Sequence, residues 1–415
     1  MLFSTLGLCE ELLKAIAEQG YATPSAIQVS AIPAVLSGRD VMAAAQTGTG
    51  KTAAFVLPVL QGLMNKAPCD SKQVRVLIIT PTRELAAQVA LSVERYSQYL
   101  PVRSCAAFGG IRIDSQIEKL RSKVDVLTAT PGRLLDLFDR QALDFTEIEV
   151  VVFDEADRML ELGFSKEIQR IHSLLPVVRQ TLMFSATFSI AIKTLAKGML
   201  NNPQLIELAG LNKTVDAVKQ VIHPVDKSRK SELLIHLLKT HRWPQVLVFS
   251  RTKEGADRLV IQLEQAGITS AAIHANRSQH ARTLVLDGFR NGTVKVLVAT
   301  DIASRGIDIS QLPCVINVDL PYVAEDYVHR IGRTGRAGAS GIAISLFSDD
   351  ETKQLVAIER AIGRKFSLER IPGFMPSKKA VLKGEEDEDE YGNFEADAKP
   401  RRQGRANARK NHRNR

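Results

Sequence analysis

Cysteine is scarce in this sequence of 415 residues: four in all, Cys9, Cys69, Cys105 and Cys314, far apart and with no C-x-x-C spacing. That scarcity excludes a disulfide framework and a thiolate zinc site, and it fits a reducing, cytoplasmic setting. Long apolar runs are missing as well; none approaches the ~18 residues needed to cross a bilayer. The opening stretch, MLFSTLGLCEELLKAIAEQG, alternates polar and apolar side chains at helical spacing and lacks the basic start of a secretion signal. No short repeat recurs, which excludes a solenoid. A charge excess is nearly absent from most of the chain. The formal charge is +9, yet eight basic side chains and no acidic one lie between Lys399 and Arg415, so the remainder is close to neutral.

What is present reads as a folded α/β protein. An apolar fraction of 45% excludes a wholly disordered chain, and the length predicts two or three domains. Short β-branched runs alternate with helical patterns, as in parallel sheets covered by helices. Strands are predicted at Val41–Ala44, Val74–Ile79, Val126–Ala129, Val150–Phe153 and Thr181–Phe184. A second series follows at Val246–Phe249, Ala271–His274, Val294–Ala299, Val315–Val318 and Ile342–Leu346. Between the series, Asn201–Val215 carries turn-formers (Asn201, Asn202, Pro203, Gly210) and is read as an inter-domain linker. The acidic hexapeptide Glu385–Glu390 and the basic stretch after it bury too little apolar surface to offset chain entropy, so disorder is expected from about Pro376.

The strongest chemical signal is AQTGTGKT: Ala45, Gln46, Thr47, Gly48, Thr49, Gly50, Lys51 and Thr52, between a strand and a helical pattern. Glycines there let backbone N–H groups face phosphate oxygens, Lys51 supplies charge for the β/γ-phosphates, and the Thr52 hydroxyl suits Mg²⁺. Ala45 stands where the general phosphate-loop pattern has its first glycine. The apolar run Val150–Phe153 ends in Asp154-Glu155-Ala156-Asp157. A carboxylate at the C-terminal end of a parallel strand lies on the edge where open α/β sheets bind ligands. Asp154 is therefore the expected Mg²⁺ ligand, through water, and Glu155 the base for the attacking water.

With those residues in place the sequence resembles the DEAD-box ATP-dependent RNA helicases, closest to the bacterial RhlE-type branch, from Phe3 to about Gly341. The resemblance implies two tandem RecA-like α/β domains: a Q-motif region over 1–29, an ATP-binding domain over 30–208, a C-terminal helicase domain over 209–372, and a disordered acidic-then-basic tail over 373–415. It implies that Gln28 reads adenine through its amide, with Tyr21 nearby and Phe3 stacking on the base, and that Asp308 meets the ribose. Ser185 and Thr187 would bond Asp157 and His329, coupling the pocket to domain closure. Arg333 and Arg336 would reach the γ-phosphate from the second domain. For RNA it implies Pro81, Thr82, Arg83, Gly109, Gly110, Thr130, Pro131, Gly132 and Arg133 in the first domain. Arg251, Thr252, Gln279, Arg282, Thr300 and Asp301 are their counterparts in the second. Ser25, Ala275, Ser304 and Val318 depart from the family pattern without removing a charged or phosphate-contacting group.

Aromatic content of only 5% fits contacts to the sugar-phosphate backbone with little base reading. The implied activity is ATP-dependent separation of short RNA duplexes or remodelling of RNA–protein contacts. ATP and Mg²⁺ are the cofactors, and RNA, single-stranded or short duplex, is the partner. An ATP-gated RNA clamp with little strand separation shares every motif and stays open, as does a DNA helicase. The basic tail is expected either to tether RNA non-specifically or to serve as a solvated solubility tail.

Overall fold

The computed structural model describes residues 2–45, 48–64, 73–208, 218–301, 312–335 and 341–377. The expected tail beyond Ser377 lies outside the described residues, as do Gln46, Thr47, Cys69, Ser304, Asp308 and Arg336. The first part of the chain supplies β1 (Val41–Ala44), β2 (Val76–Ile79), β3 (Ser104–Ala107), β4 (Val126–Ala129), β5 (Val150–Phe153), β6 (Gln180–Ser185) and β7 (Gln204–Glu207). The second supplies β8 (Val218–Pro224), β9 (Val246–Phe249), β10 (Ser270–Ile273), β11 (Val296–Ala299), β12 (Cys314–Asn317) and β13 (Gly341–Phe347). They form two parallel sheets, ordered β3-β4-β2-β5-β6-β1-β7 and β10-β11-β9-β12-β13-β8. With helices on the flanks, this is the tandem RecA-like arrangement.

The apolar runs become central strands because both of their faces are covered. Val76 and Ile78 of β2 enter one hydrophobic cluster while Leu77 and Ile79 enter the cluster on the opposite face. In the second sheet Val296 and Val298 of β11 face one core, Leu297 and Ala299 the other. Alternation along a pleated strand requires this division. The helix Lys51–Leu63 is buried almost all round; its Phe55 meets Phe184 of β6 at a ring separation of 5.1 Å. Among the described residues no helix is long and apolar enough to cross a membrane.

The expected linker begins too early. Asn201-Asn202-Pro203 turns the chain into β7, which pairs in parallel with β1 and closes the first sheet. Only Ile206 of β7 is buried, the pattern of an edge strand, and a run that hides one residue in four reads as a loop. Ser377, the last described residue, bonds Asp226 through both its backbone N–H and its hydroxyl, each at 3.1 Å, and the stretch expected to be disordered lies almost wholly outside the described residues.

The order of the first sheet decides what can meet. β5, β6 and β1 are consecutive neighbours, with Ala44 beside Ser185 and Phe153 beside Met183. The residues that end or follow them, Asp154, Ser185 and the Gly48–Gly50 turn, therefore emerge on one edge.

Candidate nucleotide and RNA sites

Gly48 and Gly50 have φ of +84° and +92°, and Gly50 caps the helix Lys51–Leu63. At Gly50 a Cβ would lie 2.5 Å from Gln28 Nε2 and 3.2 Å from Ser25 Oγ, so glycine is required by close approach as well as by φ. Ser25 and Gln28 form a capping box at the start of the helix Ala26–Leu36. Within it the Ser25 N–H donates to Gln28 Oε1 at 2.8 Å, and Gln28 Nε2 donates to the Gly50 carbonyl at 3.2 Å. The residue expected to read adenine thus also fastens its own segment to the phosphate loop. One lone pair and one N–H of its amide are left, the pair that an adenine edge uses. Tyr21 is 47% exposed and offers an aromatic surface nearby in sequence. Phe3 does not: it is 5% exposed, inside the core cluster, because its short 3₁₀ turn packs it beside Leu6 and Leu8. The expected open stacking face at Phe3 is corrected accordingly.

Lys51 is buried, and its Nζ has no hydrogen-bond partner among the described residues. Thr52 follows in the first turn. Burial pushes the Asp154 carboxyl up to about 7; Lys51 opposes that shift and Glu155 adds to it. Asp154 accepts the Glu155 N–H at 3.0 Å, and Glu155 itself is buried with φ +53°. A buried ammonium with nothing to donate to among the described residues, beside an Asp154 carboxylate that burial disfavours, is an arrangement that a polyanion and a cation would complete.

Asp157 departs from expectation in its partner. Its carboxylate accepts the backbone N–H of Ala186 at 2.9 Å and that of Arg158 at 2.9 Å, while Ser185 Oγ accepts the Thr187 N–H at 3.3 Å. The Asp-Glu-Ala-Asp turn and the Ser185–Thr187 turn are joined through backbone amide rather than hydroxyl. His329 lies in the helix Ala324–Ile331, and Arg333, 4% exposed, follows two residues after it.

The expected RNA residues gather at strand ends, mostly at helix N-termini, where amide groups point outward and suit phosphate. Thr82 caps the helix Arg83–Tyr96 and Thr252 caps the helix Lys253–Gln265, each hydroxyl accepting an N–H three residues on. Thr130, with Pro131 and Gly132, opens the helix Pro131–Asp139. Gly109 and Gly110 make room for Arg83: a Cβ at Gly109 would sit 3.2 Å from Arg83 Nη2, and one at Gly110 would collide with the guanidinium. Thr300 follows β11, and Asp301 pairs with Arg330 through both carboxylate oxygens, at 2.6 and 2.7 Å.

Four expected contacts are turned toward protein. Arg133 Nη1 donates to Gln116 Oε1 at 2.8 Å and Nη2 to the Ile111 carbonyl at 3.1 Å, holding the loop after Gly110. Arg251 Nη2 donates to Glu351 Oε1 at 2.6 Å. Arg282 Nη2 lies 2.9 Å from Glu84 Oε2, and Gln279 Nε2 donates to Glu84 Oε1 at 3.0 Å. The last two side chains belong to the second sheet's half and Glu84 to the first, so they bridge the halves. Sequence reasoning missed Glu84, although it directly follows the expected Arg83; nothing local marks it as a partner for residues almost two hundred positions away. Because both members of the Glu84–Arg282 pair are largely buried, the two are expected to couple. Glu84→Ala and Arg282→Ala should each lower RNA-stimulated ATP turnover, and the double variant should lose little more than the worse single one. A double-mutant cycle on turnover should read a coupling of about 1–3 kcal/mol; strictly additive losses would show that the bridge does not govern closure.

Comparison with known proteins agrees with this geometry. Residues 25–195 match the DEAD/DEAH box helicase family and residues 229–338 the helicase conserved C-terminal domain. The ATP-dependent RNA helicase RhlB of Pseudomonas syringae is 41% identical over 376 residues, 89% of this chain and 95% of that protein. The structure of S. cerevisiae Dbp5 bound to RNA and ADP BeF3 aligns with a TM-score of 0.80 at 34% identity, over 90% of this chain and 95% of the other. A variant of the same yeast protein bound to a Gle1 variant and IP6 aligns at 0.73, with 33% identity over 91% and 95%. Phosphate-loop turn, buried lysine, acidic strand end and bridged second sheet thus fall in a chain that belongs to the DEAD-box RNA helicase family.

Proposed function

We propose that this chain is an RNA-stimulated ATPase that uses ATP binding and hydrolysis to separate short RNA duplexes or remodel RNA–protein contacts. The observation that carries the reading is the buried Lys51 ammonium, without a hydrogen-bond partner among the described residues and close to Asp154, on the sheet edge that also presents the helix N-termini after β2 and β4. Residues 1–29 are assigned to adenine recognition, 30–208 to the triphosphate grip, 209–372 to the completing half, and 373–415 to a tail that tethers RNA. The motif series supports assignment to the RhlE-type branch, and the scarce, scattered cysteines support a cytoplasmic setting.

In this reading Gln28 and Tyr21 hold the base and Asp308 the ribose. Backbone amides of the Gly48–Gly50 turn and Lys51 hold the phosphates. Among the described residues no three His, Cys, Asp or Glu side chains cluster as a metal cage. Mg²⁺ needs none, since it keeps several waters and takes one or two carboxylates plus phosphate oxygens. Asp154 and the Thr52 hydroxyl fit that donor set, and Mg²⁺ bound there neutralises phosphate charge. Glu155 accepts the proton of the attacking water. Arg333 and Arg336 act from the second half, so hydrolysis requires closure, which Glu84 favours by binding Gln279 and Arg282. RNA laid along the helix N-termini of both halves stabilises the same closed state, so RNA and ATP promote each other's binding. The yeast structure that aligns at 0.80 holds both an RNA and a nucleotide analogue, in keeping with a closed arrangement.

The test is ATP turnover measured without nucleic acid, with RNA, and with DNA of the same sequence. Stimulation by RNA alone is expected; equal stimulation by DNA, or full turnover with neither, overturns the reading. A duplex-release assay with and without ATP then separates strand separation from clamping.

A further inference from the structure

Beyond the ends of β9 and β12, the second domain buries a charged network that the proposed chemistry does not use. Lys230 and Glu351 are 4% and 1% exposed. Lys230 Nζ donates to Glu351 Oε2 at 2.5 Å and to the Val318 carbonyl at 2.7 Å. Glu351 Oε1 accepts the Leu320 N–H at 3.0 Å and Arg251 Nη2 at 2.6 Å. The Arg251 N–H donates to the Asp319 carboxylate at 2.9 Å. Burying a Lys–Glu pair costs solvation that its attraction only partly returns, so such a network calls for a reason.

Its outward product is a rigid platform. The Arg251 guanidinium, fixed from behind by Glu351, stands 4.8 Å over the ring of Tyr322. Tyr322 is 70% exposed. Arginine backs one side of the phenol while much of the ring faces solvent, and among the described residues few large aromatics are so open. The platform's neighbours are the residues assigned to RNA. Thr252, next to Arg251, caps the helix Lys253–Gln265. Arg330 joins the Tyr322 loop to β11's end by donating to the Asp319 carbonyl at 2.7 Å while it pairs with Asp301.

The geometry points to Tyr322, backed by Arg251, as a stacking position for one base of single-stranded RNA. This rests on the proposed RNA track at this edge and adds a base contact to a path otherwise made of sugar and phosphate. Stacking tolerates any base, so the position adds affinity without sequence preference. A Tyr/Arg pair also suits a protein partner; RNA is favoured because hydroxyls and a helix N-terminus flank the platform.

The experiment is a fluorescence-anisotropy titration of the full chain, with a non-hydrolysable ATP analogue, against a short labelled oligouridylate and an abasic strand of equal length. Tyr322→Ala is expected to weaken the oligouridylate on the order of ten-fold and to leave the abasic strand unchanged, while Tyr322→Phe stays within about two-fold. The slope of log affinity against log salt should be the same for wild type and Tyr322→Ala, because no phosphate contact is lost. Equal affinity of Tyr322→Ala and wild type for the oligouridylate overturns the stacking site and leaves the platform to a protein partner. Equal losses on both strands overturn it as a general disturbance of the surface. Failure of the wild type to bind either strand overturns the RNA track itself, and the stacking site with it. Thermal unfolding of the exposed Tyr322→Ala variant should match wild type.

Discussion

Lys51→Ala is expected to lower RNA-stimulated phosphate release by two to three orders of magnitude or more, roughly what loss of one preorganised charge-stabilising contact removes. It should do so without destabilising the unliganded protein. The two halves of that expectation have one cause. Lys51 Nζ is buried and donates to nothing among the described residues, so it stabilises the fold through no hydrogen bond of its own. Removing it takes away an ammonium whose desolvation no hydrogen bond among the described residues compensates. The Asp154 carboxyl, already pushed up to about 7 by burial, loses the cation that opposes the shift and becomes more readily neutral, which costs little. A thermal unfolding midpoint equal to or above that of wild type, together with lost turnover, is the signature of a side chain placed for a ligand. A midpoint several degrees lower with turnover largely retained would assign Lys51 to the core instead.

Central strands were legible because burial on both faces demands an unbroken apolar run, and Val41–Ala44 and Val150–Phe153 are such runs. Three of the four edge strands were not; β10 alone was expected, at Ala271–His274. Ser104–Ala107 lacks β-branched residues, Gln204–Glu207 buries only Ile206, and Val218–Pro224 mixes Lys219 and Gln220 into its run, since an edge needs apolar cover on fewer sides. The site divides similarly. Residue types dictated by local geometry, such as Gly50 at φ +92° or Thr82 capping a helix, are visible in the sequence because the constraint is local. Partners are not. Arg133, Arg251 and Arg282 all carry the charge expected of an RNA surface, yet Gln116, Glu351 and Glu84 take their guanidinium groups, at separations that no spacing rule reaches. Phe3 shows the same limit for an apolar ring: the sequence offers it equally to a base or to the core.

Glu155→Gln is the second large effect, and it should separate binding from cleavage. Glu155 is one of few non-glycine residues with positive φ among those described, at +53°, buried at the start of the helix Ala156–Glu161 with its N–H held by Asp154. Backbone in that region costs of order 1–3 kcal/mol and persists only where the surroundings enforce it. β5 and the Asp154 carboxylate supply that enforcement, and the result is a buried carboxylate held beside Asp154. Glutamine keeps the length, the volume and the backbone demand while removing the base. Turnover should therefore fall by about 10²–10⁴-fold, the usual contribution of a positioned proton acceptor. ATP affinity and RNA affinity should persist, so the closed complex outlives its normal cycle. A single-turnover measurement of phosphate release and a chase of labelled RNA from the ATP-bound protein read both halves together. Slow cleavage with slow RNA release supports Glu155 as the base and hydrolysis as the step that opens the halves. Normal cleavage would transfer that role to another group. Slow cleavage with fast RNA release would uncouple the nucleotide pocket from the grip on RNA, and the Glu84 bridge to Gln279 and Arg282 would then have to open independently of phosphate loss.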